Sequence, residues 1–187
     1  SLTYNNESTL SNNGVIGGNI TDRALRRFIT TPVPKLKTIS RVPFNSKEKY
    51  SSTMIEYEDG IRKKINLIKG APEVLLTKCT SYLSENGEKK ELEKEKIKWK
   101  LDTITRQGTR VVLLAMNDSY ACERMEKLIL IGLVLIKDEV RKEAIEGIEI
   151  VRKAGIQTVM ITGDNKDTAV AIGREIGLIT SEQDLVL

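Results

Sequence analysis

Lys69, Gly70, Ala71, Pro72 and Glu73 stand where an alternating pattern (Ile61, Lys63, Ile65, Leu67) gives way to a helical one (Val74, Leu75, Leu76, Cys79). Pro72 suits a first helical position, where its missing N–H would have no partner, and Glu73 complements the dipole of the first turn. Lys69 is therefore a cation at a strand end beside a helix start, a place suited to an anionic ligand, or else the solvated lysine of an ordinary corner. Phe44, one of two phenylalanines, lies in a polar stretch between strand patterns. An aromatic face there can stack on a purine ring, worth about 1–3 kcal/mol; the alternative is a satellite core aromatic. Arg110 heads the apolar run Val111 to Ala115 and can grip a phosphate in bidentate fashion or serve as a surface arginine. Thr162, Gly163 and Asp164 follow an apolar run, where a hydroxyl, a backbone without side chain and a carboxylate suit a phosphate with its Mg2+.

Composition narrows the chemistry. The 187 residues contain no histidine, and Cys79 and Cys122 have no metal-ligand or redox spacing, so a zinc site or a histidine-based catalytic apparatus is excluded and two reduced thiols are expected. The net charge of +4 suits an anionic ligand, but acids interleave the bases and no nucleic-acid footprint results. The longest apolar run, Leu128 to Ile136, is too short to span a bilayer and reads as a buried strand; no signal peptide is read.

The elements that position these residues follow from periodicity. Residues 1–14 are rich in Asn and Ser with little apolar patterning, and a poorly ordered lead-in without functional residues is expected over 1–16. From Gly17 a helix is predicted with Ala24, Leu25, Phe28 and Ile29 on one face, ending before Pro32 and Pro34. The glycine pair 17–18 lacks the P-loop pattern. Strands are predicted over 37–42 and 50–57, the latter turning at Asp59-Gly60 into the strand that delivers Lys69, so antiparallel sheet frames this half. The charge run 88–98, with Leu92, Ile97, Leu101 and Ile104 near helical spacing, reads as a solvated helix stopped by Gly108. After Asp138 the rhythm becomes helix (Ala144, Ile145, Ile148, Val151, closed by Gly155), buried strand (156–161), helix (Ala169, Ile172, Ile176, closed by Gly177). That alternation implies parallel sheet.

Six motifs in order carry a resemblance: Gly18-Asn19-x-Thr21-Asp22-x-Ala24-Leu25, Phe44-Asn45-Ser46-x-x-Lys49, Lys69-Gly70-Ala71-Pro72-Glu73, Gly108-x-Arg110, Asp138-x-x-Arg141 and Met160-Ile161-Thr162-Gly163-Asp164-Asn165. Together they resemble the cytoplasmic part of a P-type (E1-E2) cation-transporting ATPase of the calcium-pump-like branch. The resemblance implies an α+β nucleotide-binding domain over 17–137, an antiparallel sheet flanked by helices, followed over 138–187 by part of an α/β phosphorylation domain of haloacid-dehalogenase type. It implies that Phe44 stacks on adenine and that Lys69 and Gly70 line its pocket. Asp22, Ser46 and Lys49 would add polar contacts, Arg110 would meet the phosphates, and Thr162, Gly163 and Asp164 the γ-phosphate. ATP and Mg2+ are the implied cofactors. The implied partners are the other phosphorylation, actuator and transmembrane parts of a pump, with the chain on the cytoplasmic side of a membrane.

The departures carry equal weight. The nucleophilic aspartate of an Asp-Lys-Thr-Gly-Thr motif and the Gly-Asp-Gly-x-Asn-Asp segment that holds Mg2+ are absent from these residues, so the chain reads as a catalytically incomplete fragment that binds ATP. Asp138-Glu139-Val140-Arg141 replaces the usual Asp-Pro-Pro-Arg. The phosphorylation portion, with unpaired sheet edges, is expected to be partly disordered or to pack on a neighbouring molecule. Two other classes fit these residues less well. A dehalogenase-type phosphatase requires an Asp-x-Asp pair at a strand end that is missing, and a non-catalytic nucleotide-binding or interaction module leaves the second half unexplained.

Overall fold

The computed structural model describes the chain except residues 13, 60, 106–108, 119–121, 124, 138–139, 163–165, 182–183 and 185–187, and except the side chains of 58, 59, 61, 62, 167 and 168. Two compact units result. The first comprises Ser1–Ile97 and Val111–Ile136, the second Lys98–Arg110 and Lys137–Leu187.

The first unit is an α+β domain. A two-stranded antiparallel ribbon, β1 (Ser8–Ser11) with β2 (Gly14–Gly17), leads into α1 (Ile20–Arg27). There follow β3 (Lys37–Asn45), β4 (Tyr50–Asp59), β5 (Ile61–Gly70), α2 (Pro72–Lys78), β6 (Cys79–Leu83) and β7 (Lys89–Glu91). Next come α3 (Lys94–Thr105), whose residues divide between the two units, β8 (Arg110–Asn117) and β9 (Leu128–Ile136). The seven strands of the main sheet run in the order β3-β4-β5-β8-β9-β6-β7. The β3–β4, β4–β5, β5–β8 and β6–β7 pairs are antiparallel, whereas β6 and β9 are parallel.

Burial explains the strand sequences. In β8, Val111 through Ala115 are all buried, the uninterrupted apolar run of a strand covered on both faces. In β5, Asn66 through Lys69 are buried on alternating sides, so the strand presents polar groups to two interiors. Leu25 of α1 packs with Val112 and Leu114, and Leu2, Ile131, Val134 and Ile136 close over them. Each such side chain contributes about 1.5–3 kcal/mol of transfer free energy. Phe28, expected on the same inner face of α1, is instead 68% exposed.

Three expectations are corrected here. Residues 1–16 are not a featureless lead-in: they form β1 and most of β2, and Asn5, Asn6 and Ser8 are buried. Side-chain amides rather than apolar surface anchor them, so composition gave no warning. The front of the charge run is not helical either: Lys89–Glu91 is β7, with the helix starting only at Lys94, because a short charged segment satisfies an edge strand as readily as a helix face. In the second unit α4 (Lys142–Lys153) and α5 (Lys166–Glu175) form as read, each closed by a glycine in the left-handed region, Gly155 (φ 75°) and Gly177 (φ 74°). The run 156–161 between them is not a buried strand. It has no ladder among the described residues, and Ile156, Val159 and Ile161 are 56%, 71% and 94% exposed. Helix α4 buries no residue. The turn glycine Gly60, the stop Gly108 and the pair Asp138-Glu139 lie outside the described residues. Among the described residues no helix is long and apolar enough to cross a membrane.

Both cysteines are buried and unpaired with each other. Burial pushes the Cys79 thiol up to about 11, against a smaller opposing pull from Lys94. The native protein at pH 8 is therefore expected to leave Cys79 unmodified by iodoacetamide, whereas the urea-unfolded chain reacts there readily; mass spectrometry of the quenched digests measures this. Because the folded value exceeds that of the free thiol, this contribution to stability is complete below about pH 9 and is lost as pH rises towards 11.

Candidate nucleotide-base site

The first unit gathers six of the sequence-selected residues around the β3–β4 turn and the end of β5. Pro43 has no N–H to give a ladder, and the β3–β4 register breaks between Val42 and Asn45, as edge strands tolerate at proline. The break turns Phe44 outward, where it is 51% exposed. In the turn that follows, Asn45 Oδ1 accepts from Lys47 N at 2.8 Å and Asn45 O from Lys49 N at 2.6 Å. Lys49 adopts φ 59°, and Ser46 is exposed at the tip.

The turn then locks onto β5. Lys49 O accepts from Ala71 N at 2.9 Å, and a Cβ on Gly70 would sit 2.5 Å from Lys49 O and 2.7 Å from Tyr50 Cβ. Only glycine permits that approach. Across the sheet Asn45 pairs with Tyr50 and Tyr50 with Gly70, which sets Phe44 about 10 Å, two strand spacings, from the β5 end. Pro72 opens α2, and Glu73 Oε1 accepts from Lys49 Nζ at 3.0 Å, an exposed pair of little energetic weight.

Lys69 is not the open cation that its position suggested. Its Nζ donates to Asp22 Oδ1, and the side chains are only 9% and 5% exposed. Asp22 reaches this point from the first turn of α1, where Asn19 caps the helix by accepting from Asp22 N at 2.8 Å. The charge of Lys69 is thus neutralised inside the protein. A buried neutral pair offers hydrogen-bonding groups to a polar uncharged ring better than it attracts a phosphate. Opposite Lys69 in the ladder stands Ser51, buried, with its Oγ without a partner among the described residues. Burial, then the carboxylates of Glu48 and Glu123, push the Tyr50 phenol up, so it stays neutral.

The remaining sequence-selected residues belong to the second unit or lie outside the described residues. Arg110 opens β8 and is exposed, and it groups with the second unit. Thr162 is exposed in the second unit, and Gly163 and Asp164 lie outside the described residues. Among the described residues no group of three Cys, Asp or Glu could hold a metal ion. Sequence reasoning missed Asn5, Asn6, Ser8 and Ser51; the one available signal was Asn6 two residues before Ser8, the spacing of an Asx turn, and Ser8 N does donate to Asn6 Oδ1 at 2.8 Å.

Comparison with known proteins bears on the same region. Residues 2–143 match the family model described as P-type ATPase, cytoplasmic domain N. Calcium-transporting ATPase 2, plasma membrane-type, of Arabidopsis thaliana is 36% identical over 155 residues, which cover 78% of this chain and 15% of that protein. A calcium-transporting ATPase of Listeria monocytogenes is 33% identical over 193 residues, 95% of this chain and 22% of its own length. Plasma membrane calcium-transporting ATPase 4 of Bos taurus is 31% identical over 191 residues, 90% of this chain and 16% of its own. The chain thus spans roughly a fifth or less of each of these relatives.

Proposed function

Because this chain belongs to the family of P-type ATPase cytoplasmic N domains, we propose that its first unit binds ATP by the adenine ring. The observation that carries the reading is an exposed aromatic, Phe44, held about two strand spacings from a buried Asp22–Lys69 pair, with the turn between them packed directly against Gly70. Phe44 stacks on the base, Lys69 and Gly70 line the pocket, and Asp22, Ser46 and Lys49 supply polar contacts. Arg110 meets the phosphates, and Thr162, Gly163 and Asp164 approach the γ-phosphate. Phosphoryl transfer is catalysed mostly by positioning and charge neutralisation, so a unit that only orients the nucleotide has a defined share in it. Mg2+ would enter with the triphosphate, its main ligands lying elsewhere.

We extend the proposed nucleotide-binding domain from 17–137 to include the preceding residues, since the family match starts at residue 2. Residues 138–187 would form part of a phosphorylation domain of haloacid-dehalogenase type, and the exposed apolar side chains there would face its other elements. The parent would be a membrane pump, with this part on its cytoplasmic side, coupling ATP hydrolysis through an aspartyl-phosphate to cation transport; the relatives' names favour calcium as the ion. The nucleophilic motif is absent from these residues, so the chain itself would bind without turnover.

Phe44→Ala tests the reading. Half of the Phe44 surface already meets solvent, so the urea midpoint should barely move, while loss of stacking should weaken ATP by about 1–3 kcal/mol, roughly five- to more than a hundredfold. Isotope-labelled protein titrated with ATP reads both affinity and site. Unaltered binding by the variant, or shifts remote from Phe44, Lys69 and Gly70, would sink the proposal.

A further inference from the structure

The segment before α1 holds the backbone of Asp22 from the side opposite the helix cap. Asn6 Nδ2 donates to Asp22 O at 3.0 Å, and Ser8 Oγ lies 3.1 Å from the same oxygen. Ser8 also ties Asn6 in place: its N and Oγ reach Asn6 Oδ1 at 2.8 and 2.7 Å. With Asn19 Oδ1 on Asp22 N, both backbone polar groups of Asp22 are fixed by side chains from outside the helix. Asn5 anchors the strap to the sheet, its Nδ2 donating to Ser51 O at 2.9 Å and Leu67 O at 3.0 Å. The fit is close: Gly18, at φ 60°, comes so near that a Cβ there would lie 2.9 Å from Asp22 Cβ and 3.0 Å from Ser8 N.

We infer that Asn6 and Ser8 are positioning residues, which set the Asp22 carboxylate on Lys69 and thereby shape the floor of the proposed adenine pocket. Asn6, Ser8, Asp22 and Lys69 are all buried, in a continuous file from the segment at β1 to β5. Buried hydrogen-bonded groups of this kind over-determine one geometry, because any displacement leaves a polar atom unpaired away from water. The strap contributes no group to the ligand. It acts through Asp22.

This inference rests on the nucleotide reading for its consequence but not for its primary test, which is acylation of Lys69 in the ligand-free protein by an amine-reactive ester at pH 8, followed by peptide mass spectrometry. In the wild type Lys69 should react far more slowly than exposed Lys98. Asn6→Ala and the milder Ser8→Ala should each raise the Lys69 rate about fivefold, the effect of losing one hydrogen bond of ordinary strength. ATP affinity should fall by a similar factor. Leu128→Ala, which opens a cavity on β9 outside the strap and the pair, should destabilise the fold at least as much yet leave the Lys69 rate at the wild-type value. If Asn6→Ala does not fold, Ser8→Ala carries the test. A Lys69 rate unchanged in the strap variants, or raised equally by Leu128→Ala, overturns the positioning role. A raised rate with unaltered ATP affinity overturns its link to the pocket, whereas a wild type that binds no ATP while the rates respond as expected counts against the nucleotide reading alone.

Discussion

Replacing Lys69 with alanine should cost the fold about 3–5 kcal/mol, the range for removing one partner of a buried ion pair. The reason is what remains. Asp22 is 4% exposed, its backbone is held by Asn19, Asn6 and Ser8, and it has no freedom to carry its carboxylate out to water. Without the ammonium of Lys69 the charge is stranded, and the fold must either take up a proton or open α1 away from the sheet. Opening would also expose Leu25, now 1% exposed against Val112 and Leu114. The exposed pair Lys49–Glu73, with side chains 52% and 62% exposed, makes the contrast: Lys49→Ala should change stability by less than about 0.5 kcal/mol. Urea unfolding monitored by circular dichroism measures both. The double variant Asp22→Ala/Lys69→Ala should recover part of the loss, because the stranded charge is gone, and the resulting cycle would give a coupling energy well above that of surface pairs. A Lys69→Ala loss below about 1 kcal/mol would mean that Asp22 is solvated in solution and that the pair does not hold α1 to the sheet.

The parts of this fold that sequence made legible are those set by local chemistry. Pro72 opens α2, Gly155 and Gly177 close their helices, and the apolar runs of β8 and β9 are strands. Each of these depends on a residue and its immediate neighbours. What stayed hidden depends on partners distant in sequence. The Asp22–Lys69 bond joins residues 47 apart, and nothing around Lys69 announces that its charge is already matched. The ribbon of β1 and β2 escaped notice because it buries little apolar surface, and the residues leading into it are anchored by the amides of Asn5 and Asn6. The parallel β6–β9 pair could not be inferred from a half dominated by hairpins. Conversely, 156–161 has the composition of a buried strand without a ladder to join among the described residues, since a strand is a property of a pair and not of a segment. The candidate site divides on the same line: the end proposed to bind the base is continuous backbone from Phe44 to Tyr50 against Gly70 and was readable as motifs, while Arg110 and Thr162 are exposed and group with another unit.

Gly70→Ala should prove nearly as damaging as loss of the ion pair, though the change is a single methyl group at the buried end of β5. The added carbon would sit 2.5 Å from Lys49 O, 2.7 Å from Tyr50 Cβ and 2.8 Å from Tyr50 Cα. Two of these three atoms are backbone, so no rotamer change relieves the overlap. Either β5 or the turn must move. Movement of β5 is opposed by its ten paired residues with β4 and five with β8, so the turn should yield, lengthening the 2.9 Å bond from Ala71 N to Lys49 O. Overpacking of this kind costs about 1–3 kcal/mol, and the lost hydrogen bond about 1 kcal/mol more. The displaced turn carries Phe44 at its entrance, so the stacking face would shift relative to Lys69 and ATP affinity should drop at least about tenfold even where the variant is fully folded. That double signature separates Gly70→Ala from Phe44→Ala, which should lose affinity with an unchanged urea midpoint. Measured together, the two variants test whether the close approach at Gly70 sets the position of the aromatic: equal affinity losses accompanied by a stability loss only at Gly70 would support it, and a destabilised Gly70→Ala protein that binds ATP as the wild type does would refute it.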